Sequence, residues 1–143
     1  MKIYVLCENY LKYGGIVLPD GFFWVSFNEP GRPDIQHHES FQPGTILRYN
    51  VYDLEEAKGP YDEIFLGGMA MQCASALYRE HPNTVVCQCA AGVSRSAGMA
   101  AAIDKTFNGA SYDEALYFGE NSNYKPSKRI YELMLRCFHR LGL

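Results

Sequence analysis

The chain has 143 residues, of which 48% are hydrophobic and 20% charged, enough to bury the core of one globular domain spanning residues 1–143. Its net charge of −3 provides no positive field for nucleic acid or an anionic membrane surface, so neither is an expected partner. The apolar start of the chain ends at Glu8, too early for a secretory signal peptide, and no apolar run approaches the roughly 20 residues of a membrane span.

Two strands and a long loop are predicted first. Residues 2–6 could pair as a short strand, and residues 22–27 form a stronger candidate because they are rich in aromatic side chains. Residues 28–44 hold three prolines and two glycines, which predicts a loop. This loop, which contains His37 and His38, is either a solvated connection or one wall of a substrate pocket.

A strand–helix–strand unit follows the loop. Residues 46–52 form a strand with mixed alternation, and residues 61–80 carry apolar side chains at helical spacing. His81 and Pro82 end this helix before a β-branched strand at 84–89. Such a unit is expected to be parallel and right-handed.

Two further helices are predicted in the last third of the chain. Ser111 and Glu114 have the spacing of a capping box, which would open a short helix ending near residue 118. Ser127 is placed to cap a final helix that runs to about residue 141. The expected fold is therefore α/β, a single domain with a small, mostly parallel β-sheet flanked by helices.

The most informative stretch is the turn after residues 84–89, where Cys89 opens and Arg95 closes a loop with Gly92 at its middle. A strand that turns directly into an alanine-rich helix aims free N–H groups and the positive end of the helix dipole into the turn. These groups favour a reactive thiolate at Cys89, and a guanidinium at Arg95 can bind two oxygens of one phosphate. A nucleophile, an anion cradle and a fixed cation indicate phosphoryl transfer.

This loop resembles the signature loop of the protein tyrosine phosphatase superfamily, most closely its small dual-specificity branch. The resemblance is strong over residues 84–104 and weaker from about residue 22 to the C-terminus. It implies a cysteinyl-phosphate intermediate on Cys89, formed without a metal or other cofactor. The phosphate would be held by the loop residues Ala90, Ala91, Gly92, Val93, Ser94 and Arg95.

Three positions near the loop bear on how well it would work. The family usually has His before the nucleophile, whereas this chain has the uncharged Gln88, so we expect an active but weak phosphatase. Ser96 resembles the family hydroxyl that stabilises the departing thiolate. Equally, Ser96 could serve only as a small residue that packs inside the helix. Pro126-Ser127 stands where relatives often have Pro-Asn, so a buried polar contact there is expected to differ.

A carboxyl group is needed to protonate the leaving oxygen and later to activate water. Parallel strands end along one edge of a sheet, and Asp53 follows its predicted strand as Cys89 follows the next, so Asp53 is the preferred acid. The alternatives are Glu55 and Glu56, whereas Asp62 and Glu63 are expected at the start of the crossover helix as partners of its dipole.

The loop also indicates the substrate. Relatives that act on inositol lipids or RNA triphosphates tend to carry Lys, Arg or His at its free positions, and this chain has none. A phosphoprotein or phosphopeptide is therefore favoured, with phosphotyrosine ahead of phosphoserine and phosphothreonine. Two rival functions stay open: a weak or inactive module that binds phosphotyrosine, and a rhodanese-like or arsenate-reducing thiol enzyme with Cys87 or Cys73 as the resolving cysteine.

The cysteine count suggests the compartment. Five cysteines are an odd number and have none of the spacings of a zinc site. A catalytic thiolate would be lost to oxidation outside a reducing environment, so a cytoplasmic location is expected.

Overall fold

The computed structural model describes residues 1–59, 63–110 and 124–143. In chain order the elements in these ranges are β1 (Lys2–Cys7), α1 (Glu8–Tyr13), β2 (Phe23–Asn28), β3 (Ile46–Asn50), α2 (Gly67–Glu80), β4 (Thr84–Cys89), α3 (Arg95–Ile103) and α4 (Lys128–Arg140). A π-helical segment, Asp104–Asn108, continues α3. None of the helices in the described part of the chain is long and apolar enough to cross a membrane.

The four strands form one sheet in the order β1-β4-β2-β3, and each neighbouring pair is parallel. The predicted α/β fold with a small parallel sheet flanked by helices is confirmed. β3 and β4 are not direct neighbours, because β2 lies between them. The carboxyl ends of β2, β3 and β4 consequently lie along one edge of the sheet. Cys89 is at the end of β4, and Asp53 follows the end of β3.

The two faces of the sheet have different neighbours. On one face, Val85, Cys87 and Cys89 of β4 belong to the larger core cluster, which also includes apolar residues of α2, α3 and α4. On the other face, Val86 of β4 belongs to a smaller cluster with Trp24 and residues of the long loop. Side chains alternate along a strand, so neighbouring residues of β4 serve different layers.

α3 is buried along its whole length, which accounts for its alanine and glycine content. A Cβ atom at Gly98 would lie 2.6 Å from the Ser127 carbonyl oxygen, so only glycine permits this approach to the start of α4. Ser127 caps α4 as predicted, because its Oγ accepts a hydrogen bond from the Ile130 N–H at 3.3 Å.

The predicted start of the crossover helix was wrong. α2 begins at Gly67 rather than near residue 61, and Leu66, which counted toward the apolar stripe, is extended and 50% exposed. The Tyr52 N–H donates to the Glu63 carbonyl oxygen at 2.7 Å, which holds this stretch in an extended conformation. Glu63 is therefore not in the first helical turn. Asp62 and the predicted helix at residues 111–118 lie outside the described residues.

Candidate active site

The turn between β4 and α3 passes close to the end of β1. Gly92 has φ of +69°, and a Cβ atom there would lie 2.8 Å from the Cys7 backbone nitrogen. Both the positive φ and the close approach require glycine. The Glu8 N–H donates to the Ala90 carbonyl oxygen at 3.3 Å, which fixes the first half of the loop against the start of α1.

The second half of the loop is held by the segment that leads into α4. The Lys125 N–H donates to the Val93 carbonyl and the Ser127 N–H donates to the Ser94 carbonyl, each at 3.0 Å. Ser127 contacts the loop through its backbone, while its side chain caps α4. Backbone hydrogen bonds therefore hold the loop on both sides.

Cys89 ends β4 and is 2% exposed. Its Sγ lies 3.0 Å from the Oγ of Ser96, which is fully buried in the first turn of α3. Either atom can donate when the thiol is protonated. When Cys89 is a thiolate, only the hydroxyl has a proton to give, so Ser96 then donates to the sulfur.

Arg95 is 5% exposed, and its guanidinium is hydrogen-bonded to the residues that directly follow β2 and β3. Its Nη1 donates to the Val51 carbonyl at 2.9 Å, and its Nη2 donates to Glu29 Oε1 at 3.0 Å in an ion pair. Its Nε is buried and has no hydrogen-bond partner among residues 1–59, 63–110 and 124–143. A buried donor without a partner costs about 1–3 kcal/mol, so an acceptor that reached this N–H would be bound favourably.

Asp53 lies beside the loop. Its Oδ1 accepts a hydrogen bond from Ser94 Oγ at 2.9 Å, and the carboxyl group is exposed. Glu55 is engaged elsewhere, since its carboxylate accepts the N–H groups of Lys128 at 3.1 Å and Arg129 at 2.8 Å at the start of α4. Glu56 is exposed on the same segment. Among the described carboxyl groups considered as the proton donor, Asp53 is the one that hydrogen-bonds to a loop residue.

Two other cysteines were weighed as redox partners of Cys89. Burial raises the pKa of Cys73 to about 12, and burial also holds the pKa of Cys87 well above its ordinary value. Cys73 Sγ points to Met99 Sδ at 3.9 Å. Neither thiol is disposed to ionise. The register partner of Cys89 on the neighbouring strand is Cys7, which the sequence analysis did not single out.

Gln88 faces away from Cys89, into the opposite layer of the sheet. Its Oε1 accepts hydrogen bonds from Ser26 Oγ at 2.6 Å and from Trp24 Nε1 at 3.3 Å. Its Nε2 donates to the Phe27 carbonyl at 3.4 Å. The amide therefore bonds to β2, and these contacts do not involve the loop that it precedes.

A cavity of about 360 Å³ lies next to the loop. Its lining includes Ala90 of the loop and Glu29, and it continues along α1 and the first part of the long connection through residues 32–36. Residues 32–36 of the predicted loop therefore form one wall of this cavity. His37 and His38 are not among the lining residues; the His37 ring contacts Trp24 edge-on.

Structural comparison settles the fold. No protein-family model matches the sequence, and no curated protein does. Human DUSP28 superposes with a TM-score of 0.59 at 15% identity, covering 98% of this chain and 93% of that one. The fold is that of a small dual-specificity phosphatase. PTPMT1 in complex with PI(5)P gives a TM-score of 0.53 at 15% identity, covering 94% of this chain and 85% of its own.

The likeness to the dual-specificity phosphatases is one of fold. A variant of human DUSP28 matches with a TM-score of 0.50 at 18% identity, over 85% of this chain and 79% of that one. Identities this low leave the chemistry to be argued from the side chains themselves. Among the residues argued above, the sequence analysis missed Glu29. The rule that selected Asp53 would have found it, because Glu29 directly follows a strand at the same edge of the sheet.

Proposed function

We propose that the protein is a cysteine-dependent phosphatase. It hydrolyses phosphotyrosine, and less readily phosphoserine and phosphothreonine, in a protein or peptide through a cysteinyl-phosphate intermediate. Residues 1–143 act as one catalytic domain without a metal or other cofactor. The observation that carries the proposal is Arg95, a buried cation whose Nε lacks a partner among the described residues, in the helical turn that follows the Cys89 loop.

In the first half-reaction, the phosphate oxygens bind the loop N–H groups and the N–H groups of Arg95 that the protein leaves unused, Nε–H among them. The Cys89 thiolate attacks phosphorus, so a sulfur–phosphorus bond forms as the phosphorus–oxygen bond to the leaving group breaks. Asp53 gives its proton to the leaving oxygen. The hydrogen bond from Ser94 keeps the Asp53 carboxyl beside the loop.

In the second half-reaction, Asp53 takes a proton from a water molecule, which attacks phosphorus. The sulfur–phosphorus bond breaks, and the electron pair returns to Cys89 as a thiolate. Ser96 is in place to donate a hydrogen bond to that sulfur, 3.0 Å away. Inorganic phosphate then leaves.

The surroundings of the loop favour a peptide over a lipid or a polyphosphate. The loop offers no cation besides Arg95 for a second phosphate. The adjoining cavity is lined by charges of both signs, which suits the mixed polarity of a peptide; these are Glu8, Lys12, Glu29, Arg32 and Asp34. None of the five cysteines, all of them in the described part of the chain, forms a disulfide, which supports the reducing cytoplasm proposed as the location.

The test is turnover of p-nitrophenyl phosphate and of a phosphotyrosine peptide, with and without EDTA. The wild-type protein is expected to hydrolyse both, and EDTA to have no effect. Cys89→Ser should lose turnover but still bind inorganic phosphate, because the cradle consists of backbone and Arg95. A wild-type protein that binds the peptide without turnover would instead be a phosphotyrosine-binding module.

A further inference from the structure

A buried chain of polar groups runs along β2 beneath the candidate site. Asn28 Nδ2 donates to Ser26 Oγ at 3.2 Å, and Ser26 Oγ donates to Gln88 Oε1 at 2.6 Å. Trp24 Nε1 donates to the same oxygen of Gln88 at 3.3 Å. Gln88, Ser26 and Trp24 are fully buried and Asn28 is 5% exposed, so water does not compete for these bonds.

The direction of each bond in this chain is fixed by chemistry. The indole N–H of Trp24 can only donate, so the Gln88 atom that faces it must be the amide oxygen. The Ser26 hydroxyl then gives its proton to Gln88 and accepts from Asn28. Such a chain is satisfied in one arrangement only, and buried networks of this kind rigidify the backbone that carries them.

Asn28 connects this chain to Arg95 by two routes. The Asn28 carbonyl accepts the Val51 N–H at 3.0 Å, and the Val51 carbonyl accepts Arg95 Nη1 at 2.9 Å. The residue after Asn28 is Glu29, whose carboxylate accepts Arg95 Nη2 at 3.0 Å. Both acceptors that orient the guanidinium are thus attached to the end of β2.

We propose that Gln88 is a positioning residue for Arg95. It fixes the end of β2 through Ser26 and Asn28, and thereby fixes the plane in which Arg95 presents its unused N–H groups to phosphate. The inference rests on the proposed function, because it takes phosphate to be the ligand of Arg95. Gln88 does not act on Cys89, which lies on the other face of β4.

The same geometry explains why glutamine fits this position. The site needs one oxygen that accepts two hydrogen bonds and one N–H that donates to the Phe27 carbonyl. A neutral imidazole has a single acceptor nitrogen, and an imidazolium has none. Gln88→His would therefore leave Trp24 or Ser26 without a buried partner, and should not improve the enzyme.

The experiment measures two properties of Gln88→Met, which keeps the size of the side chain and removes its hydrogen bonds. The dissociation constant for inorganic phosphate, from calorimetry, should rise about tenfold, the effect of misaligning one charged hydrogen bond. The rate of iodoacetamide alkylation of Cys89 across pH should not change. Val86→Ala is the matched control, because it cuts packing on the same face of β4 without breaking a hydrogen bond.

A double-mutant cycle separates positioning from loss of structure. In an Arg95→Lys background, Gln88→Met should cause little further loss of phosphate affinity, because there is no guanidinium left to orient. Ser26→Ala breaks the same chain at its next link and replaces Gln88→Met if that variant does not fold. The inference would be overturned if Gln88→Met bound phosphate as tightly as Val86→Ala does. It would also be overturned if Gln88→Met lowered phosphate affinity as much in the Arg95→Lys background as in the wild type.

The inference would also be overturned if Gln88→Met changed the pH profile of Cys89 alkylation but left phosphate affinity unchanged. That result would mean that Gln88 acts on Cys89 rather than on Arg95. Failure of the proposed function has a different signature: the wild-type protein would hydrolyse no phosphomonoester. The phosphate titrations of Gln88→Met and Val86→Ala would still decide whether Gln88 positions Arg95.

Discussion

At the scale of single residues, the site depends on how its groups share their hydrogen bonds. Arg95 donates to the protein from two nitrogens, and its Nε has no partner among the described residues. Asp53 and Glu55 differ in the same respect, because Glu55 is occupied by two N–H groups of α4 while Asp53 accepts from one loop hydroxyl. This difference is the reason that we propose Asp53 as the acid, whereas Glu55 caps α4.

Asp53→Asn should lower kcat by about 10²–10⁴ for a poor leaving group such as an alkyl phosphate, because the leaving oxygen then departs without a proton. The loss should be much smaller for p-nitrophenyl phosphate, whose leaving group is already stable as an anion. Steady-state kinetics with both substrates give the comparison. Glu55→Gln is the control and should show no dependence on the leaving group; the reverse pattern would make Glu55 the acid.

Ser96→Ala should slow breakdown of the phosphoenzyme more than its formation. The variant removes the hydroxyl 3.0 Å from Cys89 Sγ, and the sulfur is a leaving group only in the second step. A burst of p-nitrophenolate in stopped-flow experiments, followed by a slower steady state, is expected. An equal loss in both steps without a burst would mean that Ser96 serves only as a small packing residue.

At the scale of elements, the site forms where β2, β3 and β4 end. Sequence patterns predicted Cys89 and Arg95 because they are close in the chain, and Asp53 because parallel strands end along one edge. The capping role of Glu55 and the network of Gln88 could not be predicted. They depend on how α4 docks and on how β2 pairs with β4, and both contacts join residues more than 60 positions apart.

Burial also lowers the expected reactivity of three cysteines that share the larger core cluster with Cys89. Cys73, Cys87 and Cys137 have thiol pKa values raised by burial, so few of these thiols ionise near neutral pH. Iodoacetamide at neutral pH should therefore alkylate Cys89 before them, and phosphate should slow that reaction. Peptide mapping by mass spectrometry gives the order in which the cysteines are alkylated, and Cys89→Ser is the control. The experiment uses a Cys7→Ser background, so that only Cys89 and these three cysteines can react. Alkylation of Cys87 first would favour a thiol enzyme.

At the scale of the whole molecule, composition and periodicity predicted the layered α/β fold. The strand order β1-β4-β2-β3 was not predictable, because it is set by packing between distant segments. The start of α2 was misplaced for a related reason. Leu66 fits the helical period, but the nearby hydrogen bond from Tyr52 to Glu63 favours an extended chain.

Buried groups with raised pKa values should make the fold sensitive to alkali. The Cys73 pKa rises from 9.0 to about 12 on burial, so the folded state keeps a proton that the unfolded chain releases. This contribution to stability is complete below about pH 9 and is lost as pH rises toward about 12. The free energy of unfolding in urea should fall by up to about 1.4 kcal/mol per pH unit for such a group. The free energy of unfolding of Cys73→Ala should decline less steeply with pH. A wild-type free energy of unfolding that did not change over this pH range would contradict the burial of this thiol.

The covalent intermediate is the central claim, and trapping it is the most direct test. Wild-type protein mixed with p-nitrophenyl phosphate, quenched in acid during the first turnovers and digested, should contain one phosphoryl group on the peptide with Cys89. Ser96→Ala should accumulate more of it, since breakdown is slowed, and Cys89→Ser should contain none. Turnover without a phosphoryl group on Cys89 in either the wild type or Ser96→Ala would contradict the mechanism.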